Sequence, residues 1–159
     1  MRLNNRNRTG YYQFLSTLVI TIFLLGILLY FLDHYSADRL GMYAFLLIII
    51  PTLMVVIFYW RGRQIFEYDS DGEALNFKNR NVVLLLDKPL SDEFPKYKLK
   101  KYEVVNAIVF KRLYVTISSK KSNAITLKYD VSYLTRKELN DLKFSLNKVI
   151  KQNIEPVNS

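Results

Sequence analysis

The stretch that decides the fold is residues 11–32, YYQFLSTLVITIFLLGILLYFL, which holds 22 residues and no charged side chain. A second uncharged run, residues 41–60 (GMYAFLLIIIPTLMVVIFYW), follows after a short polar loop. An α-helix rises about 1.5 Å per residue, so about 20 apolar residues cross a hydrocarbon core of about 30 Å. Tyrosines flank both runs, and Trp60 ends the second, as is typical of membrane interfaces. The two runs therefore predict a transmembrane hairpin with helices over 11–32 and 41–60.

Two features inside the runs bear on how the helices pack. Thr17 and Thr21 stand one turn apart, and small faces let membrane helices approach closely. We expect this face to meet the second helix, with a homo-oligomer interface as the alternative. Pro51 removes one backbone donor in mid-helix, which membrane helices tolerate with a kink. No ionisable residue lies deep in either run, which argues against a transporter or proton relay.

The charge pattern around the runs predicts their orientation. The chain has a net charge of +9, and arginines flank the two runs: Arg2, Arg6 and Arg8 before the first, Arg61 and Arg63 after the second. The loop 33–40 is short and slightly acidic. Because flanks rich in Lys and Arg stay in the cytoplasm, we expect a multi-pass protein of the plasma (inner) membrane with both termini cytoplasmic. The first run is longer than a signal-peptide core and lacks a cleavage pattern, so an uncleaved anchor is the better interpretation.

Residues 1–10 are polar and basic, and they read as a mobile cytoplasmic N-terminus. After Arg63 the period changes to alternation, which indicates a second domain over residues 61–159. Asp71-Gly72 predicts a tight hairpin turn at 70–73, and the two prolines of 88–95 predict a loop. Strands are predicted at six places: 64–69, 74–79, 82–86, 102–110, 113–118 and 124–129. This spacing is typical of an antiparallel barrel or sandwich.

The last element is a helix predicted over residues 136–151. Thr135 and Glu138 form a capping box, in which each side chain satisfies a free backbone donor of the other residue. Apolar residues then recur on one face: Leu139, Leu142, Leu146, Val149 and Ile150. This stripe must cover an apolar surface, and the open end of a small barrel is the natural place for it.

Three stretches carry a family resemblance: IFEYDSDGEALNF, AIVFKRLYVTISS and AITLKYDVSYLTRKELNDLKFSL. In this order, after a two-helix hairpin, they resemble the bacterial pleckstrin-homology-like (PH-like) membrane proteins, including the YcxB-like group. The resemblance implies an α+β membrane protein whose hairpin is followed by a bent seven-stranded antiparallel barrel, closed by the C-terminal helix. It also implies binding or scaffolding at the membrane without catalysis. The first hairpin loop, 70–73, is short and acidic, so inositol-phosphate binding is not carried over.

The residues offer no pattern that supports catalysis or a cofactor. There is no cysteine, so thiolate chemistry and disulfides are excluded. His34 is the only histidine and lies in the short loop, with only Ser36 as a nearby nucleophile. Asp69-Ser70-Asp71 opens like a calcium loop, but its twelfth position is Arg80 and its flanks read as strands. We expect a protein that is not an enzyme and binds no cofactor or metal.

Clusters of basic residues are the strongest candidates for a binding surface. Eight residues form this set: Lys96, Lys98, Lys100, Lys101, Lys111, Arg112, Lys120 and Lys121. These residues either form a solvated surface that protects strand edges or attract the domain to the anionic inner leaflet. The sequence thus predicts a membrane-anchored adaptor or scaffold that presents its domain to a membrane protein partner. The alternative is a reader of anionic lipid surfaces, and tethering to a bilayer disfavours nucleic acid.

Overall fold

The computed structural model describes residues 1–36, 40–83, 88–119 and 123–154. The chain divides into two compact units. One, the helical unit, is Gly10–Trp60; the other, the sheet unit, combines Met1–Thr9 with Arg61–Ser159. The apolar runs are therefore an insertion in the sheet unit, and the residues on either side of the insertion fold together.

The helical unit contains the two predicted helices. Helix α1 spans Thr9–Ser36, and a 3-10 turn, Gly41–Phe45, leads into helix α2, Leu46–Trp60. Both segments are long and apolar enough to cross a membrane. Only 17% and 11% of their most apolar stretches are buried, whereas a helix that is apolar all round in a soluble protein lies buried in the core. The first helix extends beyond its predicted bounds at both ends.

The two helices pack closely at Gly26, a small residue of the first helix. A Cβ atom on Gly26 would lie 2.2 Å from the carbonyl oxygen of Leu47 and 2.9 Å from the ring of Pro51. Pro51 has no N–H to donate to that carbonyl, so the proline frees the oxygen against which Gly26 packs. Thr17 and Thr21 are exposed, so the prediction that their face meets the second helix is wrong.

The first sheet of the sheet unit has four antiparallel strands in chain order. They are β1 (Arg2–Asn4), β2 (Ile65–Asp69), β3 (Ala74–Arg80) and β4 (Leu90–Pro95). Strand β1 corrects the prediction of a mobile N-terminus, because Leu3 pairs with Tyr68 and is buried. Strand β4 corrects the predicted loop 88–95, because its two prolines lie at or before the strand ends and leave the ladder intact.

The second sheet has three antiparallel strands and precedes the last helix. They are β5 (Leu99–Asn106), β6 (Lys111–Ser119) and β7 (Asn123–Asp130), followed by helix α3 (Arg136–Ile154). The described residues thus form two separate sheets, and the expectation of a closed barrel is wrong. Strand β5 stops at Asn106 rather than at Phe110. Of the strand predicted at 82–86, residues 82 and 83 form a bend, and 84–86 lie outside the described residues.

The core of the sheet unit lies between the two sheets and α3. Its centre is an aromatic cluster in which the ring of Phe77 stacks on Tyr129, with centroids 4.8 Å apart, and on Phe94, at 5.7 Å. The predicted stripe of α3 closes this core: Leu139, Leu142, Leu146 and Val149 are buried, and Ile150 packs against them partly buried.

The capping box of α3 is confirmed. The backbone N–H of Glu138 donates to Thr135 Oγ1 at 3.2 Å, and the N–H of Thr135 donates to Glu138 Oε2 at 2.8 Å.

Candidate functional site: an arginine-rich root and a lysine-rich distal end

The chain leaves the sheet unit after Thr9 and returns to it at Arg61. We call these two crossings, residues 5–9 and 61–64, together with the residues that hold them, the root. Every contact described below joins residues of the sheet unit.

The first crossing is held by a fully buried side-chain amide. Asn5 Nδ2 donates to the carbonyl of Gln64 at 2.7 Å, and Asn5 Oδ1 accepts from the N–H of Phe66 at 2.9 Å. Three residues on, the guanidinium of Arg8 donates to the carbonyl of Tyr133 at 3.2 Å and forms an ion pair with Glu138. The crossing is thereby tied both to the second crossing and to the start of α3.

The second crossing packs on the segment that follows β7. The hydroxyl of Ser132 donates to the carbonyl of Arg61 at 2.7 Å, and the Arg61 guanidinium lies 4.7 Å from the centre of the Tyr133 ring. Gly62 has φ +78°, and a Cβ there would meet the carboxylate carbon of Asp130 at 2.3 Å. Only glycine combines that backbone conformation with so close an approach.

Asp130 is the acidic centre of the root and is 9% exposed as a side chain. Its Oδ2 accepts from the backbone N–H of Arg63 at 3.2 Å and lies 3.6 Å from the Arg63 guanidinium. Its Oδ1 lies 3.5 Å from Arg112 Nε. The buried amide of Asn79 bonds to the backbone N–H and carbonyl of Asp130 at 2.8 and 3.2 Å, which joins β3 of the first sheet to β7 of the second.

Arginines outnumber acids at the root. Glu67 Oε1 lies 2.7 Å from Arg6 Nε and 4.0 Å from Arg80 Nε. Six arginines and three acids take part in the contacts described: Arg6, Arg8, Arg61, Arg63, Arg80 and Arg112, with Glu67, Asp130 and Glu138. These nine residues thus carry three positive charges in excess. Arginine suits such a place because its fork holds partners in a fixed geometry.

The opposite end of the sheet unit, which we call the distal end, is rich in lysine. Lys96 and Lys98 lie in a 3-10 turn before β5, and Lys100 and Lys101 lie at the start of that strand. The Lys100 ammonium donates to the carbonyl of Asn123 at 3.1 Å. The N–H of Lys96 donates to the carbonyl of Glu73, which places these lysines beside the 70–73 turn.

The structure therefore separates the basic residues predicted as a binding surface into two groups. Lys101 pairs with Thr116, whereas Lys111 pairs with Asn106, five residues along the strand, or roughly 17 Å at about 3.3 Å per residue. Lys111 and Arg112 belong to the root and the four lysines at 96–101 to the distal end. Lys120 and Lys121 lie outside the described residues.

Sequence reasoning missed the arginines as structural groups. Arg6, Arg8, Arg61 and Arg63 were assigned only to membrane orientation, although each lies within five residues of a predicted helix end. That proximity is the signal that could have pointed to the root, because a domain interrupted by an insertion must hold both crossings.

Buried hydroxyls in the sheet unit form hydrogen bonds with neighbouring side chains. Tyr129 donates to Asp92 Oδ2 at 2.8 Å, and burial, together with this carboxylate, raises the pKa of Tyr129 far above its ordinary value. The hydroxyls of Tyr68 and Ser145 lie 3.0 Å apart, and burial raises the pKa of Tyr68. Within residues 1–36, 40–83, 88–119 and 123–154, no group of three or more His, Asp or Glu could hold a metal ion.

Asp69 and Asp71, which open the calcium-like sequence, are instead paired with cations. Arg2 Nε lies 3.0 Å from Asp69 and 3.2 Å from Asp71, and Asp71 also pairs with the amino group of Met1. This amino group lowers the pKa of Asp71.

No protein-family model, curated protein or solved structure matches this chain.

Proposed function

We propose that the protein is a non-catalytic adaptor anchored in a membrane, whose helical unit spans the bilayer and whose sheet unit binds a membrane protein partner. One observation carries this proposal: the two apolar helices are inserted between β1 and β2, and the first crossing is held by a buried hydrogen bond and the second by a partly buried one. A flexible tether would need none of these contacts. A domain held at two points is suited to presenting a surface to a partner in the same membrane.

The order of elements supports a PH-like interpretation of the sheet unit. Four antiparallel strands, three antiparallel strands and a capped C-terminal helix follow one another, as the family resemblance implies. The insertion of the hairpin after β1 adds a feature that the resemblance alone did not imply. The acidic 70–73 turn gives no reason to propose inositol-phosphate binding.

The proposed orientation places the sheet unit in the cytoplasm and the loop between the helices outside. The arginines at both crossings support it, because Arg and Lys near the ends of spans are retained on the cytoplasmic side. The absence of cysteine in the chain makes this directly testable. In intact cells, a membrane-impermeant maleimide should label Ser36→Cys, in the last turn of α1. It should label Asn140→Cys, on the exposed side of α3, only after permeabilisation; the reverse pattern would overturn the orientation.

The distal end is the surface we propose for the partner. Lys96, Lys98, Lys100 and Lys101 lie there, beside the exposed edge strand β7, whose residues Asn123–Thr126 face solvent. An open strand edge recruits another strand, and neighbouring lysines select for acidic sequence. The proposed partner is therefore a membrane protein with an acidic cytoplasmic segment.

Crosslinking of the full-length protein in native membranes, followed by gentle detergent extraction, tests this proposal. We expect a specific partner to co-purify with the wild type and to be lost from the Lys98→Gln/Lys101→Gln variant. The control is Lys137→Gln/Lys151→Gln, which removes the same charge from exposed positions of α3. Solitary migration of the wild type, or equal loss in both variants, would contradict the proposal.

The alternative function, reading of anionic lipid through basic residues, is favoured only for Lys111 and Arg112. These two residues begin β6 beside the second crossing, whereas the distal lysines lie roughly 17 Å further along the sheet.

A further inference from the structure

The turn between β5 and β6, residues 107–110, is apolar throughout. Its sequence is Ala-Ile-Val-Phe, and the N–H of Ala107 donates to the carbonyl of Phe110 at 2.9 Å, which closes the turn. Hairpin turns favour Gly, Asn, Asp, Ser and Pro, because these residues readily adopt the backbone conformations of turns and tolerate exposure to solvent. Ile108 is fully exposed at the tip, so water surrounds a large apolar side chain that packing does not explain.

Hydrogen bonds place the base of this turn beside the second crossing. The N–H of Lys111 donates to the hydroxyl of Ser132 at 3.0 Å, and the same hydroxyl donates to the carbonyl of Arg61 at 2.7 Å. Arg61 directly follows Trp60, the last residue of the apolar helix α2. The turn extends β5 and β6 beyond Lys111, away from the distal end.

Basic side chains lie next to the apolar tip of the turn. The guanidinium of Arg112 lies 4.1 Å from the centre of the Phe110 ring, and it also contacts Asp130. Lys111 precedes it in the chain. An apolar tip next to Lys and Arg is suited to binding an anionic leaflet. The apolar side chain enters the boundary between headgroups and acyl chains, and the basic side chains contact lipid phosphates.

From these contacts we infer that the turn 107–110 is a third membrane contact, in addition to the two helices. Ile108 enters the interfacial region of the leaflet in which α2 ends, and Lys111 and Arg112 face its anionic headgroups. The ligand is the lipid surface itself rather than a protein. The inference rests on the proposed membrane-spanning role of the helices.

Environment-sensitive fluorophores on single cysteines test this contact in the full chain. The protein is reconstituted in nanodiscs of about three parts phosphatidylcholine to one part phosphatidylglycerol, with or without bromine on the lipid acyl chains. Ile108→Cys is the test position, and Ile125→Cys, on β7, is the matched isoleucine control. Leu28→Cys, inside α1, reports on the proposed span.

We expect brominated lipid to quench a probe at position 108 by about half, as suits a depth of about 5–10 Å. The probe at 125 should be unaffected, and the probe at 28 should be quenched more strongly than the probe at 108. Quenching at 28 without quenching at 108 would overturn this inference alone. No quenching at 28 would overturn the membrane-spanning role as well. A blue-shifted probe at 108 that brominated lipid leaves unquenched would place the turn against protein and would also overturn the inference.

Discussion

The root and the distal end of the sheet unit are both rich in basic residues but use them in different ways. At the root, Arg63 and Arg112 share the buried carboxylate of Asp130, and their side chains are 15% and 26% exposed. At the distal end, Lys100 and Lys101 are exposed, and the contact described for Lys100 is to a backbone carbonyl of the same sheet. The arginines paired with buried acids at the root hold the domain together, whereas the distal lysines are exposed and available to a partner.

The difference follows from the chemistry of the two side chains. The guanidinium is planar, presents five donors and is weakly hydrated, so partly buried pairs suit it. The ammonium of lysine is strongly hydrated and is carried by a flexible side chain, so it remains solvated unless a binding partner displaces the water. If this contrast is correct, substitutions at the root change stability, and substitutions at the distal end change binding.

The largest expected effect on stability comes from Gly62→Ala. The new Cβ would force Asp130 away from Arg63 and Arg112 and would hold alanine at φ +78°, so we expect a loss of about 3–5 kcal/mol. Chemical denaturation of the full chain in micelles, followed by the near-ultraviolet circular dichroism of its tyrosines, measures this loss. Gly72→Ala is the matched control, because Gly72 has φ +72° with nothing within 4 Å of the new Cβ. Equal losses in both variants would show that the Asp130 contact is unimportant.

Asp130→Asn tests the charge itself. It leaves Arg63 and Arg112 without their shared anion in a mostly buried place, and we expect the free energy of unfolding to fall by about 2–3 kcal/mol. Arg112→Gln in the Asp130→Asn background should then cost less than it does alone, since the pair is already broken. Asp69→Asn, in an exposed pair with Arg2, is the control and should cost less than about 1 kcal/mol. Additive effects at Asp130 and Arg112 would contradict the coupling.

Alkaline pH should weaken the sheet unit through Tyr129. Because burial and Asp92 raise its folded pKa above the unfolded value of about 10, the stabilisation is complete below pH 10 and is lost as the pH rises above it. Each pH unit above 10 should cost up to about 1.4 kcal/mol from this group. Unfolding curves at a series of pH values should show a shallower alkaline decline for Tyr129→Phe. Parallel declines for the two proteins would exclude Tyr129 as the source.

Loss of the capping box should have a smaller effect. Thr135→Ala removes the oxygen that accepts from the N–H of Glu138, and we expect a cost of about 1 kcal/mol together with faster hydrogen exchange in the first turn of α3. Thr135→Ser keeps the oxygen and should restore most of the protection. Unchanged exchange in the alanine variant would show that the Thr135 hydroxyl is dispensable, and that the backbone bond from residue 135 to Glu138 and the Arg8–Glu138 ion pair suffice at this end of the helix.

The smallest effect is expected at the distal end. Lys98→Gln/Lys101→Gln should change the free energy of unfolding by less than about 0.5 kcal/mol, because the substitutions are on the surface and remove no buried contact. The same denaturation measurement applies. A loss comparable to that of Asp130→Asn would remove the contrast between the two ends.

Short-range sequence patterns predicted the elements whose formation depends only on residues within the same stretch of chain. The capped helix α3 with its apolar stripe and the two long helices were predictable, since each pattern lies within one stretch of chain. Strands β1 and β4 were not, because their pairing partners lie elsewhere in the sequence. The three residues Arg-Leu-Asn become a strand only when Tyr68 and its neighbours offer an edge.

The basic residues divide in the same manner. A count of charges cannot tell Lys101 from Arg112, because their difference lies in the register of β5 on β6 and in the position of Asp130.

By itself, the sequence determined that two uncharged runs form helices able to cross a membrane, and that a mixed domain ends in a capped amphipathic helix. The length of an apolar run and the period of its apolar residues are local properties, so they can be read directly from the sequence. Only the tertiary structure decided that the first residues complete a sheet across an insertion of 51 residues, Gly10–Trp60, and that Asp130 gathers the arginines of the root. Those outcomes depend on hydrogen bonds and ion pairs between distant residues, which form only when burial makes an unpaired polar group costly.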